Sequence, residues 1–182
     1  MKATGIVRRI DDLGRIVLPK EIRKTLRINC GDPMEIFVEK DEVLLKKYSP
    51  LFNVQEIAKD VCKSLAIVSE KSVMILDDEK VVAAEGQAKD FLNDLISKEA
   101  LKIINENKSF SLNESENLQT IKLCQNDDGR FKSQLIVPIS NKNGNASGLI
   151  SLLDKDVNVK MTAIDIRLAK LASEFLLSKI TI

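Results

Sequence analysis

Histidine and tryptophan are both absent from this 182-residue chain, and aromatic residues make up only 4% of it. Without histidine, the chain cannot form the Ser-His-Asp or Cys-His arrangements of nucleophilic enzymes, nor a His-ligated haem. The scarcity of aromatic side chains removes the stacking platforms that proteins use to bind single-stranded nucleic acid. An enzyme would have to rely on lysine or carboxylate chemistry, and no motif indicates it. We therefore expect no catalytic site.

Cysteine and long apolar runs are also scarce. Cys30, Cys62 and Cys124 are far apart and form no C-x-x-C pair, which favours free, buried thiols over disulfides or a zinc site. No apolar run approaches the roughly 18 residues of a membrane-spanning helix, and no signal-peptide pattern precedes the first predicted strand. We expect a cytoplasmic protein that contacts no membrane and holds no metal or cofactor.

Positive charge is concentrated near the amino end. The whole chain has a net charge of +1, but residues 1–27 contain eight basic and three acidic residues, a local charge of +5. Residues 28–182 therefore carry −4. A local excess of this kind is typical of surfaces that bind phosphate backbones, although many charge runs are only solvated helix faces. From charge alone, both interpretations stay open.

The segment from Pro19 to Leu26 is predicted to be a short helix with a cationic face. Proline suits the first helical position, and Glu21 places a carboxylate at the positive end of the helix dipole. The spacing i, i+3, i+4, i+7 puts four basic residues on the face opposite Ile22 and Leu26. These four are Lys20, Arg23, Lys24 and Arg27. Three further arginines precede them, namely Arg8, Arg9 and Arg15.

Two hairpins are predicted to flank this helix. Ile6 to Ile10 and Ile16 to Leu18 are β-branched runs joined by the turn sequence Asp11-Asp12-Leu13-Gly14. Met34 to Glu39 alternates apolar and polar residues and leads into Val43 to Lys47. A unit of about fifty residues with this order buries too little surface to be stable alone. We expect it to pair with a second copy as a homodimer, which would present the cationic surface twice to duplex DNA.

A resemblance to a known family covers residues 1–50. The AbrB-type swapped-hairpin domain of bacterial transition-state regulators is similar to KATGIVRRIDDLGRIVLPKEIRKTLRI, followed by GDPMEIFVEKDEVLLKKYSP. The resemblance implies a β-barrel in which two chains interleave their hairpins. It implies a sequence-specific DNA-binding transcription regulator of sporulation or transition-state genes, associated with the nucleoid. An alternative is an antitoxin that masks a toxin, because swapped-hairpin domains also occur there.

The same resemblance implies which residues contact double-stranded DNA. They are basic residues of the first strand, the turn and the helix: Arg8, Arg15, Arg23 and Lys24 as the main contacts, with Arg9 and Lys20 as their neighbours. Lys24 departs from the arginine that is common at its place in the family. Lysine keeps the charge that binds phosphate but cannot form arginine's bidentate contact with guanine. With the resemblance, DNA binding becomes the favoured interpretation of the charge.

Residues 51–182 are predicted to form a second domain, so that the whole chain is α+β. Asn53 and Glu56 have the spacing of a capping box, and Thr162 and Asp165 repeat it before the last helix. Each terminal helix has an apolar seam, formed by Val54, Ile57, Val61 and Val68 in the first and by Ile164, Leu168, Leu171 and Phe175 in the last. Such seams either pack inside the domain or meet another subunit, which would give a homotetramer with two DNA-binding barrels.

Between these helices the sequence predicts antiparallel strands and one helical block. The strands are predicted at residues 72–76, 80–84, 120–124, 135–139 and 148–153. Phe91 to Ile104 is predicted to be helical, in two pieces around Ser97. Turn sequences lie at residues 77–79, 126–129 and 141–145.

The closing part of this domain carries a second resemblance. The hairpin that closes GAF domains is similar to QLIVPISNKNGNASGLISLLDKD. The resemblance implies either a pocket for a small-molecule effector between sheet and helices or a pure dimerisation module, with ligand-binding residues unknown. Asn141-Lys142 is not followed by the Phe and Asp-Glu of cyclic-nucleotide-binding relatives. Cys124 could mark a bilin attachment or redox site, but a buried structural thiol is favoured.

Overall fold

The computed structural model divides the chain into two compact units, Met1–Tyr48 and Ser49–Ile182. It describes residues 5–26, 28, 30–47, 51, 54–113, 116–140 and 146–180. Each unit has its own antiparallel sheet, with two strands in the first and five in the second. No helix within these described ranges has the length and apolar character needed to span a bilayer.

The described residues of the first unit form one short helix and one hairpin. Helix α1 spans Lys20–Thr25 and begins directly after Pro19, whose fixed φ suits a helix start. Strands β1 (Met34–Glu39) and β2 (Glu42–Lys47) pair with Val38 opposite Val43. Between them, Lys40 has a φ of 52°, in the left-handed region that tight two-residue hairpin loops require. The predicted helix and second hairpin are therefore confirmed.

The predicted first hairpin is present only as its turn. The backbone N–H of Asp11 donates to Arg15 O at 3.1 Å, and that of Gly14 donates to Asp11 O at 2.9 Å. Gly14 has a φ of 76°, which favours glycine. No strand is described in residues 5–19, so the two flanking runs form no ladder within one chain. In the swapped hairpin that the family resemblance implies, these two runs would instead pair with a second chain.

The second unit places helices on both faces of a five-stranded sheet. Helix α2 (Gln55–Ser69) precedes β3 (Ser72–Leu76) and β4 (Val81–Glu85). A 3-10 segment, Gly86–Phe91, and helix α3 (Lys98–Glu106) follow. Strands β5 (Phe110–Asn113), β6 (Ser133–Ser140) and β7 (Ala146–Asp154) lead to helix α4 (Ala163–Ile180). The strand order is β4-β3-β7-β6-β5, and the α+β prediction is confirmed.

Each face of this sheet has its own hydrophobic core. One core joins the sheet to α2 and α4 and contains Ile75, Val137 and Leu152. The other joins it to α3 and the 3-10 segment and contains Met74, Phe91 and Ile136. Gly148 marks a close approach, because a Cβ there would collide with the carbonyl oxygen of Leu76 and with the side chain of Leu51. Leu51 is fully buried.

One of the two predicted helix caps lies within the described residues and is observed. Thr162 and Asp165 form the expected capping box, with Thr162 N–H donating to Asp165 Oδ2 at 2.7 Å and Asp165 N–H to Thr162 Oγ1 at 3.2 Å. Glu56 lies in the first turn of α2, which begins after Val54. The predicted cap Asn53, the turn at 141–145 and Arg27 lie outside the described residues.

Two predictions in the middle of the second unit are wrong. Residues 92–97 are not helical, because Leu95 and Ile96 form single β-bridges with Lys80 and Cys124 instead. Residues 120–124 form no strand beyond the bridge of Cys124. In both cases, contacts with distant segments determine the backbone more than the local pattern does. Ser97 caps the helix that follows, since its Oγ accepts from Ala100 N–H at 2.9 Å.

Candidate nucleic-acid interface

Helix α1 carries three of the predicted DNA-contact residues. The side chains of Lys20 and Lys24 are exposed and have no hydrogen-bond or ion-pair partner among the described residues. Arg23 is half-buried, and its Nε donates to the backbone oxygen of Leu18 at 3.2 Å. Its Nη1 also approaches Cys30 Sγ at 3.4 Å. Arg23 therefore stabilises the start of the helix, a role that its place in the cationic face did not indicate.

The loop before α1 presents Arg15. Its side chain is 71% exposed, and its Nε donates to Asp11 Oδ2 at 2.7 Å. The hydrogen bonds from Arg15, first from its backbone and then from its side chain, lower the pKa of Asp11 below its usual value. The carboxylate is therefore ionised at neutral pH, and the pair carries one positive and one negative charge.

Arg8 and Arg9 lie before that loop, in a segment without regular secondary structure. Both are exposed, and neither has a described ion pair or hydrogen bond from its side chain. The six predicted contact residues thus come from three neighbouring segments of the first unit. Four of them, Arg8, Arg9, Lys20 and Lys24, are exposed cations with no partner in the described part of the chain. An array of unneutralised cations can bind phosphate groups without first breaking contacts of its own.

The basic residues of β2 differ from these cations. Lys47 Nζ lies 3.3 Å from Asp32 Oδ2, and both side chains are less than one-quarter exposed. Lys46 Nζ lies 4.9 Å from the centre of the Phe37 ring, a distance at which a cation is attracted by the aromatic face. Both lysines therefore have structural contacts within the hairpin.

The cysteines offer no reactive site in the second unit. Cys62 and Cys124 are buried, as predicted, and burial raises the pKa of each thiol to about 12, so that neither is a thiolate at neutral pH. The prediction of burial is wrong for Cys30, which is exposed in the loop after α1. No three acidic, cysteine or histidine side chains within the described ranges are placed to hold a metal ion.

Two concave surfaces are found among the described residues of the second unit. A cavity of about 460 Å³ is lined by residues that include Lys122, Phe131 and Gln134. Gln134 clamps the backbone of Ile121, donating to its oxygen at 3.0 Å and accepting from its N–H at 2.8 Å. An apolar groove of about 620 Å³ lies between α2 and α4, and its lining includes the predicted seam residues Ile57, Val61, Val68, Leu168, Leu171 and Phe175.

Comparison with known proteins identifies the family. Residues 53–180 match the family described as stage V sporulation protein T C-terminal, transcription factor. Stage V sporulation protein T of Bacillus subtilis (strain 168) is 42% identical over 158 residues, which cover 86% of each chain. The chain belongs to the stage V sporulation protein T family. The description of this family is that of a transcription factor, so the predicted class of protein is confirmed.

The first unit of this family member has relatives of its own. The transition state regulatory protein AbrB of Bacillus subtilis (strain 168) is 38% identical over 87 residues, or 48% of this chain and 91% of AbrB. Residues 7–52 also match the family described as antidote-toxin recognition MazE, bacterial antitoxin. The resemblance of residues 1–50 to AbrB-type domains is therefore confirmed.

The second unit has the GAF fold. The solved GAF domain of an Acinetobacter phosphoenolpyruvate-protein phosphotransferase is 14% identical and superposes with a TM-score of 0.55, covering 70% of this chain and 81% of that domain. At this identity the likeness concerns the fold alone. The predicted GAF-like architecture is confirmed.

Proposed function

We propose that this chain is a sequence-specific, DNA-binding transcription regulator of sporulation or transition-state genes. The observation that carries the proposal is the set of exposed, unpaired cations in a unit related to AbrB. AbrB is a transition-state regulator by name, and the family described for residues 53–180 is one of transcription factors. The proposed contacts to double-stranded DNA are Arg8, Arg9, Arg15, Lys20, Arg23 and Lys24.

These residues divide between positioning and recognition. Lys20 and Lys24 supply charge to phosphate groups, because an ammonium group is a point charge without a fixed hydrogen-bonding plane. The arginines can form bidentate contacts with guanine or with two phosphate oxygens. Arg23 has only part of its guanidinium free, since Nε is bonded to Leu18 O. DNA shape would supply further specificity at positions the protein does not touch.

The first unit is proposed to work as a swapped-hairpin dimer of residues 1–50. Ile6, Val7, Ile10, Ile16 and Val17 are between 41% and 85% exposed in the single chain, a cluster of apolar side chains that water disfavours. A second copy of the same segment can cover them and pair the two extended runs as strands. The dimer would present each cation twice, which matches the two-fold symmetry of a duplex site.

The second unit, residues 51–182, is proposed to join two such dimers into a tetramer. The groove between α2 and α4 exposes Leu171 (68%) and Phe175 (46%), and packing against the same groove of another subunit would cover both. Two DNA-binding barrels would then share one assembly, and the second would bind at a high effective concentration. The cavity beside Gln134 is the proposed place for a small-molecule effector. We place this activity in the cytoplasm, on the nucleoid, and assign no catalytic reaction.

An antitoxin is the second candidate, favoured by the MazE match at residues 7–52. That function depends on a segment that stays disordered until it masks the toxin. Here, by contrast, the chain after residue 53 folds into helices and a five-stranded sheet with a hydrophobic core on each face. The regulator is therefore the better-supported function.

Duplex binding of the intact chain, measured across salt concentrations, tests the proposal. Up to eight phosphate contacts per dimer predict that log affinity falls with log salt with a slope of about −7. Lys24→Ala removes two of these contacts from a dimer and should reduce the slope to about −5. Lys102→Ala is the matched control, because Lys102 is 75% exposed on α3 of the second unit. Binding that does not depend on salt, or equal effects of the two variants, would contradict the proposal.

A further inference from the structure

We infer that Asp11 is a positioning residue, which fixes how the Arg15 guanidinium is presented to DNA. The inference rests on the proposed function and adds a determinant of sequence discrimination to it. An acidic side chain beside a DNA contact is unfavourable for affinity, because it repels the phosphates. Its presence there calls for a compensating role, and the contacts of its two oxygens indicate one.

One oxygen of Asp11 builds the loop. Oδ1 accepts from the backbone N–H of Leu13 at 3.0 Å and from that of Arg15 at 2.8 Å. Together with the bond from Asp11 N–H to Arg15 O at 3.1 Å, these contacts close residues 11–15 into a compact turn. The backbone that carries Arg15 is therefore held in one conformation before DNA arrives.

The other oxygen holds the side chain. Oδ2 accepts from Arg15 Nε at 2.7 Å, and neither Nη atom of Arg15 has a partner among the described residues. Since the Nε edge is occupied, the guanidinium can bind DNA only through its two terminal nitrogens. This end-on arrangement suits the O6 and N7 of guanine, or two oxygens of one phosphate.

The pair is exposed, so its role is geometric more than stabilising. The side chains of Arg15 and Asp11 are 71% and 43% exposed, and exposed ion pairs contribute little to folding. Restricting a flexible arginine in advance, however, reduces the entropy lost when it binds a specific base. Asp11 should therefore favour the correct sequence while opposing DNA binding in general.

The test uses the intact chain with two duplexes. One is the tightest-binding duplex that the wild-type protein recovers from a random-sequence library, and the other has the same composition in shuffled order. Asp11→Asn keeps an oxygen for the backbone N–H groups but removes the charge that holds Nε. We expect the ratio of the two affinities to fall about tenfold, while the affinity for the shuffled duplex stays equal or rises.

Asp12→Asn is the matched control. Asp12 is the adjacent exposed carboxylate and has no described partner, so the charge change is the same. It should raise both affinities equally and leave their ratio unchanged. In an Arg15→Ala background, Asp11→Asn should change the ratio by less than about twofold, because its effect passes through the guanidinium.

Several outcomes would overturn the inference. The first is an unchanged ratio of the two affinities in Asp11→Asn. The second is an equal fall of that ratio in Asp12→Asn. The third is a tenfold fall of the ratio when Asp11→Asn is made in the Arg15→Ala background. Asp11→Ser, whose hydroxyl can still accept from the loop, is the second variant if Asp11→Asn does not fold; if neither folds, Asp11 is structural and the inference is wrong. Failure of the proposed function is distinguishable, since the wild type would then select no duplex at all.

Discussion

The two units of this chain solve the problem of stability in different ways. In the described part of the first unit, only Pro19 and Ile28 are buried. In the second unit, both faces of the sheet are covered by helices, and Ile75, Leu76 and Ile150 are among many fully buried side chains. The second unit has the core of an independent domain, whereas the first exposes apolar side chains that need cover. This difference supports the proposal that the first unit folds as a dimer.

The two units also differ in the contacts that their arginine side chains make. Arg130 in the second unit binds Asp90 at 2.9 Å and Asp128 at 2.8 Å, and its guanidinium lies 4.8 Å from the centre of the Phe91 ring. Asp128 and Asp90 raise the pKa of Arg130 above its ordinary value. Arg8 and Arg9 have no such partners in the described residues. Arg130 thus joins its own loop to the 3-10 segment of the second unit through its ion pairs, whereas Arg8, Arg9, Lys20 and Lys24 of the first unit have no partner among the described residues.

The largest effect should come from the core of the second unit. Leu152 is fully buried in the core beneath α2 and α4, and Leu152→Ala should lower the free energy of unfolding by about 4 kcal/mol through lost contacts and a cavity. Urea unfolding followed by circular dichroism measures it. If the free energy of unfolding fell by less than about 1 kcal/mol, the second unit would not differ from the first in depending on its own hydrophobic core.

A buried ion pair should give the next largest effect. Lys71 Nζ lies 3.2 Å from Asp165 Oδ1, with side chains 12% and 5% exposed. Asp165→Asn leaves the lysine without its counter-charge and should cost about 3 kcal/mol in unfolding measurements at neutral pH. Lys59 and Glu56 form an exposed pair at 2.7 Å, and Glu56→Gln is the control, with an expected cost below about 0.5 kcal/mol.

The same pair predicts how stability depends on pH. Burial alone would raise the pKa of Asp165, but hydrogen bonds from Thr162 and the contact with Lys71 outweigh it and lower the pKa below 3.8. The folded state therefore binds the proton more weakly, so this contribution is present above about pH 4 and is lost as pH falls further. Between pH 5 and pH 2, the free energy of unfolding should therefore fall less in Asp165→Asn than in the wild type. An identical acid profile would refute the assignment.

Substitutions in the first unit should have the smallest effect on the stability of the second unit. Ile16 and Val17 are adjacent and 51% and 74% exposed, and in the strand expected of the proposed dimer they would point to opposite faces. One of them must therefore enter the proposed dimer interface. The double change to Asp should halve the assembly mass in sedimentation and abolish tight duplex binding, while unfolding of the second unit is unchanged. Ile67→Asp, at a site 68% exposed on α2, should alter neither; persistence of the full assembly in the double variant would contradict the dimer.

Features that depend on residues close together in the sequence could be predicted, whereas features that depend on contacts formed only in the folded chain could not. The β1–β2 hairpin and the Thr162–Asp165 cap depend on residues a few positions apart, and both were predicted. The segment at residues 92–97 was mispredicted because Ile96 is held by Cys124, far away in the sequence. Asp11 was recognised only as a turn former, since its second contact, to the Arg15 side chain, requires a known loop conformation. The bond from Arg23 to Leu18 O was missed for the same reason.

The packing of Leu51 against Gly148 has a consequence for how the second unit opens. The first residues of a domain are commonly the first to fray. Here, withdrawing the Leu51 side chain would leave a void beside a glycine in the middle strand of the sheet. Local opening at this boundary is therefore coupled to the sheet interior, and amide hydrogens of β7 near Gly148 should exchange only when the whole domain unfolds.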